Sequence, residues 1–179
     1  MLTLGYIIGS LAPDSINRKL SQVLVNHAPE DVRMKEASIA ELPLYDRHMD
    51  GDFPQVLSRF KDQVAAVDGL LLVTPEHNQS YPAAVKNALD ILTRGGSSQL
   101  KGMPMGIVGA SPSRFGTINS QAQLHQFLPR LGVHLMGTPV LAVQAGEGTF
   151  PAEGAADEQI TKRASRYMKA FAEFVDAER

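Results

Sequence analysis

Polar side chains suited to binding a phosphate or a planar ligand are concentrated in three short stretches of the sequence. They lie within Ser10–Asn17, Glu76–Ser80 and Gly109–Arg114. Each stretch follows an apolar run and precedes a segment in which apolar residues recur at helical spacing. Because ligands of parallel α/β proteins bind outside the carboxyl ends of the strands, we expect the three stretches to contact one ligand together.

The usual protein nucleophiles are missing from these stretches. The chain has no cysteine, which excludes disulfides, thiolate catalysis and cysteine-bound metal clusters. It has no Gly-x-Ser-x-Gly motif, and only one of its five histidines, His77, lies in a candidate site. His77 could donate a proton or merely line the site. The sequence therefore favours chemistry that is carried by a bound cofactor, with the protein supplying binding and orientation.

The net charge and the possible metal ligands of the sequence limit which binding partners we expect. The formal net charge of −2 gives no electrostatic reason to bind nucleic acid or an anionic membrane. His48, Asp50 and Asp52 could resemble metal ligands, but they lie in a polar, glycine-containing connection with no partner motif. We expect them to be solvated, and we expect no metal site.

Alternating apolar runs and helical segments predict the architecture. The predicted strands span residues 2–8, 32–39, 70–73, 103–108 and 133–143, each followed by a segment with helical spacing. The first is too short to cross a bilayer and has no positively charged flank, so we expect a strand, not a signal, and a cytoplasmic protein. The pattern predicts an α/β protein with one domain over residues 1–179. Its parallel sheet is doubly wound in the order 2-1-3-4-5, with helices on both faces.

The stretch after the third strand also resembles a family signature. Pro75–Asn78, Ser80, Pro82, Lys86-Asn87 and Asp90 resemble the P-E-Y-N-x-S-x-P-G-x-x-K-N-x-x-D motif of the NADPH-dependent FMN reductases. That family has a flavodoxin-like fold and includes quinone, azo-dye and chromate reductases. His77 replaces the usual tyrosine, and Ala83 replaces a frequent glycine.

The first stretch is a candidate phosphate site on its own chemistry. Ser and Gly residues precede a predicted helix for which Ser15 is the N-cap, and helix N-termini bind anions. No lysine occupies a Walker position, which argues against a nucleoside triphosphate. The same serines could instead only cap a turn and a helix. Gly9, Ser10, Ser15 and Asn17 resemble the family's G-S-x-R-x-x-S-x-N flavin-phosphate loop, with Ala12 in place of its arginine.

Residues 109–116, which include the third stretch, resemble the family's G-A-S-P-G-R-x-G loop, which lies beside the flavin ring. We expect Gly109 and Ala110 to let the backbone approach a planar ligand closely. Arg114 is a candidate for binding the phosphates of a nicotinamide nucleotide, or it anchors its own loop. The resemblance implies FMN contacts from Ser10, Leu11, Ala12, Ser15, Ile16, Asn17, Pro75, Glu76, His77, Asn78, Ser80, Gly109, Ala110 and Ser111.

The resemblance also implies an activity. FMN would take two electrons from NADPH or NADH and pass them to a small quinone-, flavin- or azo-type acceptor by a ping-pong mechanism. Two alternatives are a flavodoxin-type electron carrier and a regulatory flavodoxin-like protein that has lost its cofactor. Relatives often read Q-Y-H-L-R where this chain has Gln121 to His125, and those side chains contribute to subunit contacts. We therefore expect a homodimer, with a tetramer less favoured.

Overall fold

The computed structural model of the chain describes residues 1–179 and is built on one parallel sheet. The strands are β1 (Leu2–Ile8), β2 (Val32–Glu36), β3 (Gly69–Val73), β4 (Pro104–Ser111), β5 (His134–Leu135) and β6 (Leu141–Gln144). Their order is β2-β1-β3-β4-β5. β5 pairs with the first residues of β4, and β6 pairs with its last four residues. All pairs are parallel, which confirms the predicted flavodoxin-like order.

Five α-helices cover the sheet. They are α1 (Ile16–Asn26), α2 (Gln55–Ala65), α3 (Ala83–Leu92), α4 (Ile118–Phe127) and α5 (Glu158–Ala177), with short 3-10 helices at Arg47–Gly51 and Leu128–Leu131. Buried side chains of α1 and α5 pack in one core on one face, and those of α2, α3 and α4 pack in a second core. Because both faces are covered, every residue of β3 and β4 is buried. None of these helices combines the length and the apolar content needed to span a membrane.

Local chemistry explains where α1 and α5 begin. Ser15 Oγ accepts a hydrogen bond from the Asn17 amide, and the Asp157 carboxylate accepts one from the Ile160 amide. Both side chains satisfy amide hydrogens that have no partner within the first helical turn. The predicted N-cap at Ser15 is therefore confirmed.

Three of the predicted strands differ from the structure by more than one residue. The second strand ends at Glu36 and does not reach Ile39, because its pairing with β1 ends where Glu36 lies opposite Tyr6. The fourth strand continues to Ser111, so residues 109–111 belong to β4 and pair with β6. The predicted last strand is two strands, since the segment around Gly137 leaves the sheet between β5 and β6.

Candidate functional site

A cleft opens at the carboxyl edge of the sheet, between the connections that follow β3 and β4. Its volume is about 580 Å³. The lining residues are Glu76, Asn78, Gln79, Ser111, Ser113, Arg114, Phe115, Ile118 and Asn119. The structure thus brings the second and third predicted stretches to one cleft, as expected for strand ends that share a sheet edge. Residues of the first stretch do not line this cleft and form a separate loop after β1.

The β1 connection is open to solvent at its tip and tied down at its base. The Gly9 amide donates to the Val73 carbonyl at 2.8 Å, which keeps the start of the loop beside β3. Leu11 and Ala12 are exposed, and Ser10 Oγ accepts a hydrogen bond from the Ala12 amide at 3.4 Å. The loop therefore presents hydroxyl and amide groups near the N-terminus of α1, as a neutral phosphate-binding loop would.

The side chain of Asn17 is buried and binds another part of the protein. Its side chain is 2% exposed, and its amide makes two hydrogen bonds to the backbone of Ala110 in β4. Both polar ends of the side chain are thus already engaged with the protein. Asn17 fixes the β1 connection against β4, so any effect on a ligand would come through the position of these two segments.

The connection after β3 forms a tight turn at the cleft. The His77 amide donates to the Ser80 carbonyl at 2.9 Å, and the Ser80 amide donates back to the His77 carbonyl at 3.0 Å. Asn78 and Gln79 between them have φ values of 50° and 63°, which is typical of a type I′ turn. Their own amide hydrogens donate to no protein acceptor. Two free backbone donors therefore stand at the tip of the turn beside the cleft.

Glu76 anchors the base of this turn to α4. Its carboxylate accepts hydrogen bonds from the Asn119 and Ser120 amides at 2.9 and 3.0 Å, and from Asn119 Nδ2 at 3.1 Å. A negative charge on the first amides of a helix is favourable because the helix dipole places partial positive charge there. The main interaction of Glu76 in this structure is therefore with α4.

Close packing inside the fold already requires glycine at position 109. A Cβ there would overlap the Thr74 carbonyl oxygen and Thr117 Oγ1, so the approach of a planar ligand is not needed to explain this residue and stays a prediction. Ala110 is 1% exposed, and its methyl group lies in the core shared with α1 and α5. Of residues 109–111, only Ser111 lines the cleft.

Beyond Ser111 the chain turns sharply and presents Arg114 and Phe115 to solvent. Ser113 Oγ donates to the Gly116 carbonyl at 3.2 Å, and Gly116 has a φ of 58° that favours glycine. The Arg114 guanidinium carbon lies 5.6 Å from the centre of the Phe115 ring. Arg114 is the only cation among the residues that line the cleft.

Sequence reasoning missed part of the cleft lining. Phe115 and Ile118 are 62% and 45% exposed although both are large and apolar. An apolar residue inside a polar loop is the sequence signal for Phe115, whereas Ile118 begins a segment with helical spacing and gives no separate signal. The structure instead turns Ile118 toward the cleft. Together the two side chains give the cleft an apolar rim next to Arg114.

The remaining signature residues have structural partners. Lys86 Nζ lies 2.6 Å from both carboxylate oxygens of Asp90 on the partly exposed face of α3. Asn87 accepts a hydrogen bond from the Tyr45 amide and donates one to the Pro43 carbonyl, at 2.8 and 2.9 Å. The second half of the signature thus holds α3 and the connection after β2 together. His77 is exposed and does not line the cleft.

The candidate metal residues do not form a cluster. Asp50 Oδ2 accepts a hydrogen bond from the Tyr45 hydroxyl at 3.0 Å, and His48 and Asp50 belong to an exposed 3-10 helix that Asp46 caps. No group of three or more histidine and carboxylate side chains in the structure is arranged to hold a metal ion. These residues order the connection between β2 and α2.

Comparisons with known proteins identify the family of the chain. A family model described as NADPH-dependent FMN reductase matches residues 2–148. A 2-hydroxy-1,4-benzoquinone reductase from Burkholderia is 38% identical over 176 residues, which cover 97% of this chain and 96% of that protein. A quinone reductase from Pseudomonas putida is 30% identical over 179 residues, covering 99% and 96%.

Solved structures give the same assignment. The flavoenzyme FerB from Paracoccus denitrificans, an NAD(P)H:acceptor oxidoreductase, superposes with a TM-score of 0.93 at 33% identity and covers 99% of each chain. The similarity to these proteins extends over almost the whole chain. The chain therefore belongs to the NADPH-dependent FMN reductase family of flavodoxin-like oxidoreductases.

Proposed function

We propose that the chain, folded as one domain, is an FMN-dependent oxidoreductase that takes two electrons from NADPH or NADH and passes them to quinone-, flavin- or azo-type acceptors. The observation that carries this proposal is the cleft itself. It has free amide donors, one cation and an apolar rim, but no nucleophile and no paired acid and base. A site of that composition can bind and orient a redox cofactor and has no evident chemistry without one.

The FMN phosphate is assigned to the β1 connection. Ser10 and Ser15 supply hydroxyl groups at the start of α1, and the amides of the exposed loop add further donors. Ala12 contributes no charge where the family has arginine. Arg18 does not replace that charge, because its guanidinium pairs with the Glu36 carboxylate at 3.3 Å. Phosphate binding by neutral donors is expected to be weaker than binding by a guanidinium.

The flavin ring is assigned to the turn after β3 and to the end of β4. The free amides of Asn78 and Gln79 suit the polar edge of the ring, and Ser111 faces the same cleft. Bound FMN supplies the redox chemistry, since its N5 atom can accept a hydride and the reduced ring can donate two electrons. The chain's own groups bind and orient, because the one carboxylate that lines the cleft, Glu76, already accepts hydrogen bonds from the first amides of α4.

The open cleft supports a ping-pong mechanism. Donor and acceptor would use the same space in turn, because one face of the site is bounded by Phe115 and Ile118 and the other is open to solvent. Arg114 is proposed to bind the nicotinamide nucleotide's phosphates. A planar quinone fits the apolar rim, and the Burkholderia relative named for 2-hydroxy-1,4-benzoquinone supports an acceptor of that class.

The assembly proposed is a homodimer, with a tetramer less favoured because Ala122 and His125 replace the larger tyrosine and arginine of relatives. Light scattering at micromolar concentration tests this proposal, and a monomer with FMN bound would contradict it. The cytoplasmic location stays a prediction.

One experiment tests the activity. The purified chain is mixed with FMN, freed of excess, and titrated anaerobically with NADPH and with NADH while flavin absorbance is followed. We expect the absorbance to bleach and to return when a benzoquinone is added, with parallel double-reciprocal plots in steady state. Tight FMN binding without bleaching would support an electron carrier. No FMN binding would support a regulatory protein.

A further inference from the structure

The side chain of Gln123 in α4 binds two neighbouring residues of the turn after β3. Its Nε2 atom donates to the Gln79 carbonyl at 2.8 Å, and its Oε1 atom accepts from Ser80 Oγ at 2.7 Å. One amide group therefore satisfies a backbone acceptor and a hydroxyl donor on neighbouring residues. Nothing in the sequence signature of the turn points to this residue, which lies 43 positions after Ser80.

The turn needs an external partner because its backbone is strained. Asn78 tolerates a φ of 50°, since asparagine is among the residues that enter the left-handed region readily. Gln79 at a φ of 63° has no such tolerance and lacks the freedom of glycine. A residue in that conformation persists only where its surroundings hold it there. Gln123 binds the carbonyl of the strained residue directly.

The helix that carries Gln123 is itself tied to the turn and to the opposite wall of the cleft. Glu76 binds the first amides of α4, so the base and the tip of the turn are attached to the same helix. The α4 helix begins directly after the segment with Arg114 and Phe115 that forms the other wall. The position of α4 thus sets the separation of the two walls.

We infer that Gln123 is a positioning residue that holds the Asn78–Gln79 turn in its left-handed conformation and so directs the two free amides of the turn toward the flavin. This inference rests on the proposed function, because that function places FMN against the turn. It adds a residue outside the cleft lining, on a helix, as a determinant of flavin affinity and potential. Gln123 touches neither cofactor nor substrate and acts only through the turn.

Gln123→Leu tests the inference, because leucine is similar in size and makes neither hydrogen bond. The matched control is Gln126→Leu on the same helix, where the glutamine is exposed and makes no side-chain hydrogen bond. Three quantities are measured: amide hydrogen exchange of His77 and Ser80 without FMN, the FMN dissociation constant, and the midpoint potential of bound FMN. The exchange readout does not depend on flavin or on activity.

We expect Gln123→Leu to speed exchange of the His77 and Ser80 amides about tenfold, because about two neutral hydrogen bonds to the turn are lost. The FMN dissociation constant rises about five- to tenfold on the same ground, and the midpoint potential shifts. Gln126→Leu leaves all three unchanged. Gln123→Glu, which keeps only the acceptor for Ser80, and Ser80→Ala, which removes only that bond, give intermediate exchange rates.

Two results would overturn the inference. Exchange rates in Gln123→Leu equal to those of the Gln126→Leu control would show that the turn keeps its conformation without the Gln123 hydrogen bonds. Faster exchange with an unchanged dissociation constant and potential would show that the turn does not contact the flavin. An unmodified chain that binds no FMN would refute the proposed function and the flavin half of this inference, while the exchange comparison still decides whether Gln123 holds the turn.

Discussion

Asn17 and Ala110 are joined by a pair of hydrogen bonds although 93 residues separate them in the sequence. Asn17 Nδ2 donates to the Ala110 carbonyl at 2.8 Å, and the Ala110 amide donates to Asn17 Oδ1 at 2.9 Å. β3 pairs with β4 only as far as Val108, so the side-chain amide of Asn17 takes the place of a neighbouring strand for Ala110. The pair fixes the proposed phosphate loop relative to the end of β4.

Replacing Asn17 by alanine should therefore destabilise the fold as well as weaken FMN binding. The change leaves the buried amide and carbonyl of Ala110 without partners, which costs about 2–4 kcal/mol in the free energy of unfolding. Urea denaturation of the FMN-free chain measures this cost. Ser15→Ala is the comparison, since it removes only an N-cap and should cost about 1 kcal/mol.

The double variant Ser15→Ala/Asn17→Ala should weaken FMN binding by about 1 kcal/mol for each neutral hydrogen bond lost and more where a donor stays buried. Fluorescence titration of FMN measures the affinity of each single variant and of the double variant. An unfolding free energy of Asn17→Ala within 0.5 kcal/mol of the unmodified chain, as an approximate threshold, would contradict the structural role. Unchanged FMN affinity in the double variant would contradict the phosphate loop.

Glu76 should contribute to stability through α4. Glu76→Ala removes a carboxylate from two helix amides and is expected to cost about 1–2 kcal/mol. Glu76→Gln keeps one acceptor oxygen and loses the charge on the helix dipole, at about 0.3–1 kcal/mol. Thermal unfolding of both variants measures the difference. Glu173→Gln, on the exposed end of α5 with Lys169 3.9 Å away, removes the same charge and should be nearly neutral.

The order of the sheet and the placement of the cleft could be predicted because they follow from local patterns. Continuous apolar runs predicted buried parallel strands, and polar residues after those runs predicted a ligand edge. The end of β4 could not be predicted, because Gly109 to Ser111 read as a loop until their pairing with β6 is known. That pairing depends on contacts between distant segments, which leave no periodic signal.

Hydrogen bonds between side chains and residues far away in the sequence could not be predicted either. Asn17 was assigned to a ligand, whereas its geometry is decided by Ala110 in another strand. Gln123 carried no signal because its two partners belong to a turn whose left-handed conformation is not evident from an Asn-Gln pair. Residue type and spacing locate donors and acceptors, but the tertiary fold decides which of them bind each other.

His125 should add a pH dependence to stability. It is partly buried in α4, and this burial lowers its pKa below the usual value of 6.5. Below about pH 6.5 the unfolded chain therefore takes up a proton that the folded chain binds less well. Above that pH His125 is neutral in both states and does not change the free energy of unfolding. Below it, protonation of His125 in the unfolded chain lowers the free energy of unfolding as the pH falls.

His125→Gln should remove this part of the pH dependence. We expect the free energy of unfolding of the variant to fall less steeply between about pH 6.5 and 5 than that of the unmodified chain. Urea denaturation at several pH values measures both slopes, and His48→Gln in the exposed 3-10 helix serves as the control. Parallel slopes for the unmodified chain and His125→Gln would contradict the effect of burial.

His77→Tyr, which restores the residue frequent in the family, should keep NAD(P)H oxidation. The His77 side chain is exposed and does not line the cleft, while its backbone forms the turn, so the turn should survive the change. A larger ring beside the cleft should retain FMN equally well or better through added apolar contact. FMN titration and steady-state kinetics measure both properties. A loss of turnover of about 100-fold or more would instead assign the histidine a proton-transfer role.

Arg114 should contribute more to the binding of NADPH, the electron donor, than to the binding of the quinone acceptor. It is the only cation that lines the cleft and is exposed beside Phe115, so its guanidinium is free to bind phosphate oxygens of NADPH. Arg114→Ala is expected to raise the KM for NADPH about three- to tenfold. Loss of a buried charge-assisted hydrogen bond would have a larger effect, but Arg114 is exposed to solvent, which weakens its interaction with phosphate. The KM for an uncharged benzoquinone should stay within about twofold, since no phosphate contact is lost.

The control for Arg114 is Arg166→Ala, which removes an exposed guanidinium from α5 that does not line the cleft. The two proposed roles of Arg114 predict different kinetics. If Arg114 only anchors its own loop by packing on Phe115, its loss disorders one wall of the cleft, and both KM values should rise together. If it binds the nucleotide, only the NADPH value rises, and the effect shrinks as ionic strength increases because salt screens an exposed charge pair. Initial rates at two salt concentrations, with each substrate varied in turn, therefore decide between the two roles.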